Sequence, residues 1–475
     1  MPTLSMLALD LGAESGRAML GQFDGEQLRL AEVHRFPNTP ARLPNSLHWD
    51  ILRLWSEVKK GIALAVRDHA PDLASIGIDT WAVDFGLLDR HGSLLTNPYH
   101  YRDSRTDGML DEAFRRVPRA EIFEQTGIQF LRLNSLYQLL AMASGRSPVL
   151  DIAETFLTIP DLLNYWLTGQ AVCEFTNATT TQCYNPRKGD WAMEMLQKLD
   201  IPAHIFPQIV PPGTDLGPLL PYAIDEIGSE SGTGPTVIAP ACHDTGSAVV
   251  AVPAVAPNSA WISSGTWSVV GAEVSAPVIN ESSLRHNFTN EGGVCDTFRF
   301  SRNVMGLWLV QECRRTWARQ GQASSYDELT ELASQAEPFL AVVDPDHDSF
   351  FKPGNMPARI REFCRTTGQP VPESRGAVLR CALESIALKY RWVLEQLEEM
   401  LGCRLEPLYI VGGGTQNQLL SQFTADAVDE RVITGPVEAT ATGNILMQML
   451  ALGHIDSPQD CLLYTSDAAD DAMNV

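Results

Sequence analysis

The chain lacks several patterns that would fix its chemistry at once. No G-x-x-x-x-G-K-[ST] occurs anywhere, which excludes a Walker-type nucleotide loop. The nine cysteines, at 173, 183, 242, 295, 313, 364, 381, 403 and 461, are odd in number and include no C-x-x-C pair. Neither a zinc knuckle nor a disulfide framework is expected from them, and they read as reduced thiols. No apolar run reaches the length of about 18 residues that a membrane helix needs, and the start MPTLSMLALDLG has no basic segment before its short apolar stretch. The expectation is a cytoplasmic protein without membrane partners. Positive charge is also scarce, with 35 Lys and Arg against 58 Asp and Glu and a formal net charge of -23. That balance opposes nucleic acid and other polyanions, so any phosphate must be held locally by backbone amides, a metal ion or single basic residues. The N-x-[ST] triplets at Asn177, Asn280 and Asn287 carry no weight without a secretory signal.

What is present is an ordinary globular composition, 44% hydrophobic and 20% charged, over 475 residues. That length exceeds what one core usually serves and predicts two domains of roughly 200 residues, with a cleft between them as the default site. The Pro- and Gly-rich stretch 201–240 and the segment AVPAVAPNS place the boundary near 251–259, giving domains 1–251 and 252–460. The last residues, CLLYTSDAADDAMNV, do not continue the preceding pattern. They resemble adapter read-through, so 461–475 is expected to be a non-native tail on a chain that naturally runs further.

Residues 4–11 and the alternating AMLGQF predict a β-hairpin around the polar tip GAESGR, with partner strands at 28–36 and 74–79. Helices are predicted at 50–68, 108–117, 134–143 and 158–169, the last opened by Pro160 and closed by Gly169. The second half opens with WISSGTWSVVGAEV, a second strand, Gly/Ser/Thr turn and strand that echoes the first hairpin. Helices at 303–319, 325–336 and 377–401 follow, then LYIV, a triple-glycine turn and another helix. The pattern is α/β, repeated in both halves.

Two glycine-rich turns, GAESGR at 12–17 and GGGTQN at 412–417, could bring backbone close to a phosphate, although a plain turn explains either one equally well. Asp244 follows an apolar strand and could accept a proton as a general base or cap the helix TGSAVVA. Trp81 and Asp84 could border a sugar, through a ring face and an accepting carboxylate, or sit in core and turn.

These turns occur together with DTWAVDF (79–85), YRDSRT (101–106), TNATTTQ (176–182), CHDTGSA (242–248), SSGTW (263–267), TNEGG (289–293), NVMGLWLVQ (303–311) and ITGPVEATATGN (433–444). The set resembles the FGGY family of carbohydrate kinases from about Leu7 to about Gly453, and within it the members that act on L-rhamnulose. The resemblance implies a duplicated actin-like (ribonuclease H-like) ATPase fold, with two domains around a cleft. It implies ATP and Mg²⁺ as cofactors and a small-molecule ketose as partner, with L-rhamnulose converted to L-rhamnulose 1-phosphate in rhamnose catabolism. A related ketose such as L-fuculose, a xylulose or a ribulose is the nearest alternative; a non-catalytic actin-like sugar sensor is the more distant one.

By the same resemblance Asp244 is the catalytic base, and Ala82, His243, Asp244, Thr245 and Asn303 meet the sugar. Ala13, Glu14, Ser15, Gly16, Arg17, Thr266, Gln311 and Gly413 meet the nucleotide, and Asp10 lies near the metal. Ala82 stands where the family usually has glycine, and its added methyl group narrows that side of the implied pocket.

Overall fold

The computed structural model describes residues 3–228, 234–253, 258–458 and 473–474. Apart from 473–474, the stretch 461–475 that was expected as a tail lies outside them. The chain forms two compact units. The first gathers Met1–Pro253, Glu273–Phe300 and Ala439–Ser466, and the second gathers Ala254–Ala272, Ser301–Glu438 and Asp467–Val475.

In the first unit a six-stranded sheet runs in the order Thr214–Pro218, Thr236–Ala239, Ser75–Thr80, Leu4–Leu11, Ser15–Phe23, Leu28–Pro37. The last three pair antiparallel as consecutive hairpins, whereas Ser75–Thr80 pairs parallel with both Leu4–Leu11 and Thr236–Ala239. Leu4–Leu11 is apolar on both faces because helices cover the sheet, and Met6, Leu7, Ala8, Leu9 and Leu11 are all fully buried. The helix Ile51–Leu64 starts on the Asp50 side chain, which accepts from Arg53 N. Helix Ile159–Thr168 has Pro160 in its first turn and ends on Gly169 at φ 79°, as its sequence predicts.

The helix Ala439–Ala451, late in the chain, returns to this first unit. Its Gly443 lies so close to the helix Asp244–Val250 that a Cβ there would stand 1.8 Å from Ser247 O. Two polar side chains on its buried face reach into the sheet: Gln448 Nε2 donates to Leu7 O at 3.1 Å and Asn444 Nδ2 to Gly77 O at 3.2 Å.

The second unit repeats the strand order. Phe298–Met305, Trp267–Val274, Ala260–Ser264, Leu408–Val411 and Val432–Thr434 are neighbours in that sequence. Ala260–Ser264 pairs antiparallel with Trp267–Val274 and parallel with Leu408–Val411, which pairs parallel with Val432–Thr434. Hairpin first, parallel crossovers next is the order of the first unit as well, and this shared connectivity makes the fold a duplicated α/β one. Helices Trp308–Arg319, Tyr326–Ser334 and Arg375–Leu401 accompany the sheet. The expected helix at 303–319 needs correction at its start: 303–305 complete the strand Phe298–Met305. Gly306 divides strand from helix, since a Cβ there would meet Ser268 Oγ at 2.4 Å and Gly265 O at 2.8 Å.

The eight cysteines among the described residues are free thiols. Among those residues no helix is long and apolar enough to cross a membrane.

Candidate active site

The hairpin tip of the first unit places a basic side chain over a carboxylate. Antiparallel register sets Asp10 opposite Arg17, and Arg17 Nη2 donates to Asp10 Oδ2 at 2.6 Å. The turn between them closes with Gly12 N donating to Ser15 O at 3.0 Å. Asn38 clasps it from the neighbouring strand, its N–H donating to Glu14 O at 2.9 Å and its Nδ2 to Gly12 O at 2.9 Å. Gly16 is required by packing, because a Cβ would lie 2.2 Å from the Phe36 ring. Ala13, Glu14, Ser15 and Arg17 remain half-buried at the tip.

Parallel register sets Asp79 beside Asp10 on the next strand. Asp79 is fully buried, and burial with the neighbouring Asp10 charge drives its carboxyl well above the usual range. Asn444 Nδ2 donates to its Oδ2 at 2.6 Å, while Oδ1 has no hydrogen-bond partner among the described residues. Arg17 takes one oxygen of Asp10 and Asn444 one of Asp79, and the remaining carboxylate oxygens suit a hard cation that is completed by water and phosphate. Among the described residues no group of three or more His, Cys, Asp or Glu forms a metal cage.

Asp244 opens the helix Asp244–Val250 as its first residue, with His243 in the capping position and no side-chain cap bond. The capping role weighed for Asp244 is therefore not the one it plays. Its Oδ1 accepts only from its own neighbour, Thr245 N at 2.5 Å and Thr245 Oγ1 at 3.2 Å, and its side chain keeps 29% exposure. Burial of the remainder raises its carboxyl above the ordinary value; His243 opposes that shift and the charge of Asp10 adds to it.

His243 is held from several sides. Its N–H donates to Thr176 Oγ1 at 3.1 Å, and Cys242 N donates to Glu174 Oε2 at 3.0 Å. Its ring faces Asp244 through Nε2 at 3.4 Å and Arg299 through Nδ1 at 3.0 Å. Arg299 is fully buried, donates from Nε to Gly292 O at 2.8 Å, and has Glu291 Oε2 at 3.4 Å from Nη2. Gly292 N in turn donates to Thr179 Oγ1 at 2.8 Å, so TNATTTQ, CHDTGSA and TNEGG converge on one imidazole.

Ala82 lies in the strained turn after the strand Ser75–Thr80. Asp84 N donates to Ala82 O at 2.9 Å, and Val83 between them has φ 67°, a conformation that a β-branched residue rarely adopts. Of the two readings of Asp84, the one in which it receives sugar hydroxyls fails, because both of its oxygens are occupied. Oδ2 accepts from Trp49 Nε1 at 2.6 Å, Trp81 Nε1 at 3.0 Å and Tyr101 N at 3.1 Å, and Oδ1 accepts from Gln138 Nε2 at 2.8 Å. Asp84 is fully buried and Trp81 is 4% exposed, so both are interior groups.

Asn303 belongs to the second unit, on the strand Phe298–Met305, whereas Ala82, His243, Asp244 and Thr245 belong to the first. Also in the second unit, Gln311 Nε2 donates to Thr266 Oγ1 at 3.2 Å, and Gln311 Oε1 has no hydrogen-bond partner among the described residues. Leu307 N and Trp308 N close onto Gly265 O and Thr266 O at 2.9 and 3.1 Å, fixing SSGTW against the helix start.

The glycines of GGGTQN have separable roles. Gly412 adopts φ 89° and a Cβ would sit 3.0 Å from Ser264 O; at Gly414 a Cβ would meet Ser264 Oγ at 2.1 Å. Gly413 is exposed and a Cβ there would meet nothing within 4 Å. Neither backbone conformation nor packing explains the middle glycine, which leaves open space above its backbone.

Sequence reasoning missed Asn38, Glu291, Arg299 and Asn444 as parts of these arrangements. A charged residue between Phe298 and Phe300 was a readable signal for Arg299, since an arginine inside an apolar strand is buried only when paired.

Residues 5–251 match the N-terminal domain and residues 260–452 the C-terminal domain of the FGGY family of carbohydrate kinases. The rhamnulokinase of Bacteroides thetaiotaomicron is 44% identical over 450 residues, 94% of this chain and 91% of that protein. That of Halalkalibacterium halodurans is 41% identical over 462 residues, covering 97% of each chain. Among solved structures, a ligand-bound xylulose kinase from Lactobacillus acidophilus superposes with a TM-score of 0.79 at 16% identity, covering 99% of this chain and 92% of that one. Plasmodium falciparum glycerol kinase with ADP gives 0.76 at 16% identity, covering 98% and 93%. At such identity these two speak for the fold alone, and they agree with the duplicated α/β architecture. The chain belongs to the FGGY family of carbohydrate kinases.

Proposed function

We propose that this carbohydrate kinase transfers the γ-phosphoryl group of ATP to L-rhamnulose, giving L-rhamnulose 1-phosphate and ADP in the cytoplasm. The observation that carries the reading is the run of relatives named rhamnulokinase, 38 to 44% identical over 94 to 97% of the chain.

Asp244 is the base. Its carboxylate keeps one face toward solvent and, among the described residues, accepts hydrogen bonds only from Thr245, so lone pairs remain for a sugar hydroxyl. As the hydroxyl oxygen attacks the γ-phosphorus, its proton passes to that carboxylate, and ADP leaves on the opposite side. His243, Thr245, Ala82 and Asn303 hold the ketose, the first two offering a buried imidazole and hydroxyl and the others a strained backbone turn and an amide. The tip Ala13, Glu14, Ser15, Gly16 and Arg17 receives phosphate, with the Arg17 guanidinium, which pairs with Asp10 at 2.6 Å, as its basic group. Thr266, Gln311 and Gly413 hold the rest of the nucleotide; the unpartnered Gln311 Oε1 and the open space at Gly413 support this. Asp10 would hold Mg²⁺, which when bound neutralises phosphate charge.

The test is ADP release with Mg·ATP across L-rhamnulose, L-fuculose, L-xylulose, D-ribulose and glycerol, with the product's phosphorus position read by NMR. A clear preference for L-rhamnulose with phosphate at C1 is expected. Preference for another ketose would overturn the substrate assignment, and nucleotide binding with no ADP release on any sugar would overturn the transfer itself.

A further inference from the structure

Glu291 and Arg299, two members of a buried triad completed by His243 beside the proposed base, have no role in the reading above. A guanidinium is protonated in proteins and carries only donors. Arg299 Nη2 stands 3.0 Å from His243 Nδ1 with hydrogen-bond geometry, so Nδ1 must present its lone pair and the single imidazole proton resides on Nε2. Nε2 is the nitrogen that faces Asp244 Oδ1, at 3.4 Å. Glu291 Oε2 also lies 3.4 Å from Nδ1 and would favour the opposite tautomer, but it lies equally near Arg299 Nη2. The shorter, properly directed guanidinium contact prevails over the longer carboxylate one. Arg299 cannot swing away, because it is fully buried and its Nε is fixed on Gly292 O at 2.8 Å.

We infer that Arg299 is a positioning residue: it locks His243 as the Nε2–H tautomer, with its N–H on the side of the Asp244 carboxylate, where it can close on that carboxylate and orient it for the sugar hydroxyl. Glu291 balances the buried guanidinium. The Nε2 to Oδ1 separation of 3.4 Å is long for a hydrogen bond, and the inference requires it to shorten as the sugar binds. This rests on Asp244 being the base.

The decisive measurement is the ¹⁵N spectrum of the full chain labelled at histidine, with His243 assigned by His243→Gln. A protonated Nε2 and unprotonated Nδ1 are expected; a protonated Nδ1 in the wild-type chain overturns the inference without any variant having to fold. Kinetics supply the second arm. Arg299→Met combined with Glu291→Gln, which leaves no unpaired buried charge, should lower kcat roughly 10- to 100-fold, the usual cost of losing a group that orients a functional imidazole. KM for ATP should stay within about twofold, and Arg299→Lys should restore part of kcat. Unchanged kcat in the double variant, or a loss that the lysine does not relieve, overturns the positioning role. Asp244→Asn separates the two claims, since near-normal turnover there removes the base itself, whatever the tautomer of His243.

Discussion

The carboxylate of Asp84 binds two indoles at once, with Trp49 Nε1 at 2.6 Å and Trp81 Nε1 at 3.0 Å from the same Oδ2. The two rings themselves pack with centroids 4.1 Å apart, and His100 stacks on Trp49 from 4.2 Å. Asp84 is thus the polar hub of an aromatic cluster and pins the strained Ala82–Asp84 turn from within.

Replacing Asp84 with alanine strands these donors in the interior. The expected cost is about 3 kcal/mol of stability, in line with losing charged buried hydrogen bonds. Urea unfolding measures it. KM for the ketose in the remaining folded enzyme should change less than stability does; a large rise in KM with unaltered unfolding would return Asp84 to the sugar pocket.

Gly413 and Gly414 separate nucleotide contact from packing. Alanine at 413 meets no neighbour, so the melting temperature should hold while KM for ATP rises, by about tenfold if the phosphate approaches the backbone there. Alanine at 414 is driven against Ser264 Oγ and should cost roughly 1 to 3 kcal/mol through overpacking. Equal ATP affinity in Gly413→Ala would remove the glycine from the nucleotide site.

Asp244→Asn keeps size and one acceptor oxygen but cannot take a proton. Because the hydrogen-bond donors to that carboxylate among the described residues come from Thr245, the fold should hardly notice, and kcat should fall by about 10² to 10⁴. Steady-state ADP release together with a melting curve checks both halves; near-normal turnover would sink the base assignment.

Much of this was legible because the signals were local. The hairpin around GAESGR, the Pro160 and Gly169 helix ends and the triple-glycine turn each follow from residues within a few positions. The start of Trp308–Arg319 was misplaced because 303–305 carry no breaker of their own; Gly306 stops the strand through contacts with Ser268 and Gly265, which are distant in sequence. The same limit hid Asn444, whose helix follows the second-unit strands yet packs in the first unit and supplies the donor for Asp79. It also hid Arg299, whose partners His243 and Glu291 are named only by the fold. For Asp84 both roles fitted the sequence, and only the four donors around it decide between them.

Three interior carboxylates give stability a definite pH dependence. Burial pushes Asp84 up to about 6, Asp161 to about 7 and Glu174 to about 8. In each the folded state holds the proton more tightly than the unfolded chain. Their contribution is therefore fully present below the unfolded values near 4 and is lost as pH rises through the folded ones. The melting temperature should fall as pH rises from about 4 to about 8, by roughly 5 °C or more. Glu174 dominates the upper part of that range. Its carboxylate accepts from Thr176 N at 2.8 Å, Asn177 N at 3.2 Å and Cys242 N at 3.0 Å, tying the strand before His243 to the helix Phe175–Thr180. Glu174→Gln removes this titration and should flatten the curve up to about pH 8, most plainly between about pH 7 and pH 8, at a lower melting temperature throughout, because an amide offers one acceptor oxygen where the carboxylate offers two. Repulsion within a chain of net charge -23 also grows with pH, but the variant leaves nearly all of it in place. A slope unchanged by Glu174→Gln would therefore assign the pH dependence to overall charge and not to this buried group.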